Sequence, residues 1–164
     1  MHSSKGFVLP SRTIIITGAS DGIGAAAARD LASHGERLVL VGRSEEKTHA
    51  RANELGADSY VADFERLDEV RELANDLRDR YPRIDVLANN AGGIFGDRER
   101  TADGFEKTLQ VNHLAPFLLT NLLMDRLVEN DATVINTSSI AARLFGNIDL
   151  DDLHNERSSS SNKA

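Results

Sequence analysis

The run Thr17-Gly18-Ala19-Ser20-Asp21-Gly22-Ile23-Gly24 constrains this chain more than any other stretch. Ahead of it, Thr13-Ile14-Ile15-Ile16 is β-branched and apolar and reads as a buried strand, while Gly24 to His34 reads as a helix. The glycines therefore fall at a strand-to-helix turn, spaced G-x-x-x-G-x-G rather than in the commoner G-x-G-x-x-G dinucleotide pattern. Such a turn can bring bare backbone against a pyrophosphate and aim the helix's unpaired N–H groups and positive dipole end at it. Side chains at Gly18, Gly22 or Gly24 would obstruct that approach, and Ser20, Asp21 and Ile23 complete the candidate binding turn. The natural ligand is a dinucleotide.

Beyond the turn, strands and helices alternate. Ala25 to Ala28 with Ile23 and Leu31 make a helix thin enough to pack close to a sheet, and Gly35 stops it. Leu38 to Val41 reads as a second strand, apolar on both faces. Ser44 caps an expected helix from Glu45 to Leu55, with Gly56 at its end. Ser59 to Ala62 is a third strand, and Leu67, Val70, Leu73, Ala74 and Leu77 keep helical spacing as far as Tyr81-Pro82. Ile84 to Ala88 is the fourth strand and Thr133 to Thr137 the fifth. Between them Asp103 and Glu106 look like a capping box, and Leu114 to Val128 reads as one long helix with Pro116 in its first turn or bending it.

Parallel strands need right-handed crossovers, so this alternation predicts an α/β doubly wound parallel sheet of order 3-2-1-4-5. Cofactors in such sheets lie beyond the carboxyl ends of the strands, near the switch point between the first and fourth. The expected organisation is an N-terminal extension over 1–11, a dinucleotide-binding unit over 12–140, and a loop with a mobile Ser-rich tail over 141–164.

Bulk properties narrow the partners. A net charge of −7 without a Lys/Arg cluster argues against a nucleic acid, whose phosphates need clustered cations. No apolar run is long enough for a membrane span, and Met1 to Pro10 lacks the apolar core of a signal peptide. Without cysteine there is no disulfide or thiolate chemistry, so the expected location is cytoplasmic. After the second strand, Arg43 stands where an NAD site usually offers an acid. A guanidinium can hold an extra phosphate by two parallel hydrogen bonds, which favours NADP(H) over NAD(H) against the plain alternative of a solvated surface arginine.

Taken together, Thr17 to Gly24, Asn89-Asn90-Ala91-Gly92, Val111-Asn112-His113 and Asn136-Thr137-Ser138-Ser139 resemble the short-chain dehydrogenase/reductase family. The resemblance implies a Rossmann fold and hydride transfer between a nicotinamide and a small-molecule carbonyl or alcohol, with no metal. Asp63-Phe64 would meet the adenine, although Asp63 as a helix cap is an open alternative. The backbone at Asn90, Ala91 and Gly92 would pass beside a cofactor ribose. Asn112 would hold a kinked helix and a water leading to a catalytic lysine, and Ser139 would donate to the substrate carbonyl oxygen.

One part of the family pattern is missing. Its Tyr-x-x-x-Lys, with the tyrosine as general acid or base, follows the serine strand, yet the tyrosines here are Tyr60 and Tyr81, and the lysine after Ser139 is Lys163. Thr101 to Glu106, Val111 to Thr120 and Asp149 to Leu153 are similar to the retinol-dehydrogenase-like and WW-domain-oxidoreductase-like branch. In that branch a longer loop separates the serine strand from the tyrosine helix. The resemblance implies an N-terminal portion of a longer enzyme, inactive alone, with its fifth strand left as a sheet edge and a possible homo-oligomer if full length. The competing reading is a non-catalytic dinucleotide-binding or interaction module.

Overall fold

The computed structural model describes residues 11–96, 99–140, 144 and 149–153. The expected extension, apart from residue 11, and the Ser-rich stretch with Lys163 lie outside the described residues. Strands β1 (Thr13–Thr17), β2 (Arg37–Gly42), β3 (Asp58–Val61), β4 (Val86–Asn89) and β5 (Thr133–Asn136) form one parallel sheet in the order β3-β2-β1-β4-β5, as the alternation predicts.

Period-two alternation divides the core into two layers. Ile14, Ile16, Leu38 and Leu40 face one side and meet small residues, Ala28 of helix α1 (Gly22–Ser33) and Ala52 of α2 (Glu45–Leu55), so these helices lie close to the sheet. Ile15, Val39, Val41 and Leu87 face the other side. There they meet Val70, Leu73, Ala74 and Leu77 of α3 (Leu67–Arg80) and Leu119 of the helix after β4. Each of the Val, Leu and Ile side chains among them, fully buried, contributes roughly 1.5–3 kcal/mol by leaving water, and each alanine methyl less than about 1 kcal/mol.

Local signals placed both ends of α2, Glu45 and Leu55. The Ser44 hydroxyl accepts from the Lys47 N–H at the start of α2, and α1 begins two residues earlier than its periodicity suggests because Asp21 caps it by accepting from Gly22 N.

Two expectations fail in the connection from β4 to β5. Asp103 does not open a capping box. The helix begins at Lys107 (α4, Lys107–Leu109), where Glu106 caps it by accepting from the N–H groups of Thr108 and Leu109. Asp103 instead accepts from the Leu67 N–H at 2.9 Å, capping α3 from a distant loop, while the Arg66 side chain at the α3 N-cap makes no capping bond. That also displaces Asp63 as a cap: its carboxylate accepts from the Glu65 N–H in a tight local turn. The expected long helix is broken too. A π-helical turn (Gln110–Leu114) runs into α5 (Ala115–Leu122), with Pro116 in its first turn, and α6 (Met124–Glu129) follows a break at Leu123. The π turn gives Gln110 room to bury its whole side chain, which donates to the Phe64 carbonyl and to Asp103 and accepts from the Thr101 hydroxyl.

β5 lies at the sheet edge, with Ile135 half exposed. No helix of the described residues is long and apolar enough to cross a membrane.

Candidate functional site

Where the chain leaves β1, the buried Thr17 side chain joins two strand ends. Its Oγ1 accepts from the backbone N–H groups of Asn90 and Ala91, both at 3.0 Å, and donates to the Ala88 carbonyl. The Asn90 amide returns the connection by donating to the Thr17 carbonyl at 3.0 Å and more weakly to that of Gly18. The glycine turn and the Asn90-Ala91-Gly92 segment are therefore interlocked at the switch point between β1 and β4. On the other flank the Ala19 N–H donates to Val41 O, and Ser20 packs against Gly42 at the end of β2.

This interlock gives the glycines different physical reasons. A Cβ on Gly18, whose φ is +66°, would stand 2.8 Å from the Ala91 Cα, and one on Gly24 would run into the Gly18 carbonyl and the Asn90 amide. Those two glycines are needed by the protein's own packing, a closer constraint than the expected ligand approach. Gly22 differs: its φ is +55°, and a Cβ there would meet nothing within 4 Å. The open backbone of the turn is thus at Gly22, beside the start of α1, with the Ile23 side chain 75 % exposed next to it. A helix start can offer N–H groups and a positive dipole end to a phosphate, although here the Gly22 N–H itself donates to Asp21 at 2.8 Å.

Two cations near the turn, Arg43 and Lys47, bring positive charge to the same edge. Arg43 follows β2, is exposed, and donates through Nη1 to Glu65 at 3.0 Å. Lys47, in the first turn of α2, reaches back to Asp21 in the glycine turn at 3.2 Å. The Gly22 N–H foremost, with Lys47, holds the Asp21 carboxyl below its usual range. Sequence reading singles out Arg43 and passes over Lys47, although four-residue spacing across a capped helix start was there to be read. After β3, Asp63 sits in its turn at the same edge, but the Phe64 ring is packed into the core and its carbonyl is taken by Gln110.

Asn112, in the π turn, makes a two-way bond with the loop after β4. Its amide donates to Gly93 O at 2.9 Å and its carbonyl oxygen accepts from Gly93 N at 3.0 Å. A Cβ on Gly92 would lie 2.9 Å from that oxygen, so Gly92 and Asn112 need each other. At the end of β5, the Thr137 N–H donates to Asn89 O, which brings the Thr137-Ser138-Ser139 segment to the carboxyl edge where Asn90 lies. The expected cofactor turn, Asn90 to Gly92, Asn112 and the serine segment thus share one edge of the sheet. The two tyrosines do not belong there. Tyr81 is buried at the opposite edge, donating to Asp58 at 2.8 Å, with Tyr60 against its ring; burial pushes its phenol well above the usual range.

Residues 12–148 match the family model for short chain dehydrogenases. The chain is 54 % identical over 162 residues to a daunorubicin C-13 ketoreductase candidate of Streptomyces sp. (strain C5), covering 95 % of this chain and 55 % of that protein. It is 39 % identical over 154 residues to human retinol dehydrogenase 13, covering 89 % and 46 %. Among solved structures, a Shigella flexneri short chain dehydrogenase complexed with NADP superposes with a TM-score of 0.71 at 32 % identity, covering 82 % of this chain and 62 % of that one. A parallel sheet with this switch-point turn, matched over most of its length by that family model, makes the chain a member of the short-chain dehydrogenase family. It spans about half the length of the curated relatives it matches.

Proposed function

We propose that this chain carries the cofactor site of an NADP-dependent oxidoreductase that moves a hydride between the nicotinamide and a carbonyl or alcohol of a small molecule. The carrying observation is the opening at Gly22, framed by the locked turn and flanked by Arg43 and Lys47. The backbone from Gly22 to Gly24 takes the pyrophosphate, and the two cations favour a 2′-phosphate over a bare ribose hydroxyl. Asp63 lies toward the adenine end, and Asn90, Ala91 and Gly92 hold the segment beside the nicotinamide ribose. When bound, the nicotinamide supplies the hydride donor or acceptor. Ser139 donates a hydrogen bond to the substrate oxygen, and Asn112 fixes the π turn against Gly93 so that the floor of the site stays in register. Relatives named as a ketoreductase and a retinol dehydrogenase, and a neighbour complexed with NADP, support carbonyl chemistry of this class.

Within the 164 residues no Tyr-x-x-x-Lys segment occurs, and Tyr81 lies at the far edge. The chain by itself is therefore expected to bind cofactor without turning over a ketone or alcohol. Titration of NADPH and NADH by nucleotide fluorescence tests the reading. NADPH should bind about tenfold more tightly or better, the scale of a charge-assisted hydrogen bond, and Arg43→Ala should remove most of that difference. Equal affinities in the unaltered chain would remove the role given to Arg43, and no binding of either nucleotide would sink the site.

A further inference from the structure

We propose that Glu65 sets how strongly this site prefers the 2′-phosphate, by competing with it for the Arg43 guanidinium. The inference rests on the reading of Arg43 given above. A single oxygen, Glu65 Oε1, accepts from Arg43 Nη1 at 3.0 Å and lies 3.1 Å from Lys107 Nζ. The two cations are not equivalent. Lys107 is mostly covered, with its ammonium also 3.1 Å from Glu99 and 5.2 Å from the centre of the Phe95 ring, whereas the Arg43 side chain is 65 % exposed. The Glu65 backbone is tied as well, its N–H donating to Asp63 at 3.0 Å. The carboxylate is thus anchored by groups that do not depend on Arg43, and Arg43 is the partner that can turn away.

A 2′-phosphate carries close to two negative charges at neutral pH. Brought to Arg43, it must share the guanidinium with a fixed carboxylate or draw the guanidinium off it, and Lys107 offsets part of the remaining repulsion. NADH places only a neutral hydroxyl there and feels neither effect. Glu65 therefore weakens NADPH binding selectively, and Lys107 moderates that penalty.

The test uses the whole 164-residue chain, with fluorescence titrations of NADPH and NADH. Glu65→Gln keeps the shape and removes the charge. It should tighten NADPH by about two- to fivefold, the range of an exposed ion pair, and leave NADH unchanged. Lys107→Met should do the opposite, weakening NADPH by a similar factor with NADH unchanged, and it carries the test if the first variant fails to fold. NADPH affinity unaltered or lowered in Glu65→Gln, or both nucleotides shifting together in either variant, would overturn the proposal. Arg43→Ala separates the levels: if it leaves the NADPH preference intact, the reading beneath fails, whereas loss of preference there with no effect of Glu65→Gln refutes the competition alone.

Discussion

An alanine methyl at position 24 would run into the Gly18 carbonyl and the Asn90 amide, whereas at position 22 it would meet open space. The two substitutions should therefore separate stability from binding. Gly24→Ala overpacks the interlock and is expected to cost about 1–3 kcal/mol in urea unfolding, with loss of nucleotide binding as the turn moves. Gly22→Ala meets only the left-handed backbone penalty, about 1–2 kcal/mol at most, yet should still weaken NADPH because its methyl projects into the ligand's space. Unimpaired NADPH binding by Gly22→Ala would remove the opening from the site. At this scale the sequence was partly readable. Glycine spacing located the turn, but the difference between a glycine required by Asn90 and one left open lies in contacts across more than sixty positions of chain, which no local pattern encodes.

Among the elements, α1, α2 and the five strands were legible because caps, apolar period and glycine stops agree with one another. The β4-to-β5 connection was not. Asp103 and Glu106 have the spacing of a capping box, but Asp103 does more elsewhere, receiving the Leu67 N–H of α3 and the Gln110 amide. Asp103→Ala should therefore lower stability by about 1–2 kcal/mol through a helix that is distant in sequence, with the loss of protection appearing in the first turn of α3 in amide hydrogen exchange. Protection lost only around Lys107 would restore the capping box. The same Gln110 that the π turn buries ties this loop to the Phe64 carbonyl, so the Asp63 turn and the Asn112 segment share one hydrogen-bonded support.

Across the whole molecule, the two edges of the sheet carry different groups. The carboxyl edge holds the candidate site. At the amino edge three carboxylates staple the strand starts: Glu36 accepts from Arg12, Asp58 from Tyr81, and Asp85 from Arg83 and from the Thr13 N–H. Each is held below the usual carboxylate range, foremost by the side-chain hydrogen bond from Arg12, Tyr81 and Arg83 respectively. A folded-state pKa below the unfolded one adds stability above the unfolded value and loses it as pH falls through the folded value. The melting temperature should therefore stay level from neutral pH down to about 5 and fall below about 4, and Asp85→Asn should lower the neutral value and flatten the acid slope. An unchanged slope in Asp85→Asn would show that this staple does not govern acid unfolding.

Strand order and the place of the glycine turn follow from local pattern together with the handedness of crossovers, because period, caps and glycine spacing act over a few residues, whereas the candidate Ser139 and Asn112 come from family resemblance and not from pattern. Which glycines the protein itself demands, which carboxylate caps α3, and that Lys47 and Glu65 stand beside Arg43's edge emerge only on folding. Those facts depend on groups that packing brings within 3 Å or so of one another from separate loops, and spacing along a chain carries no record of that distance.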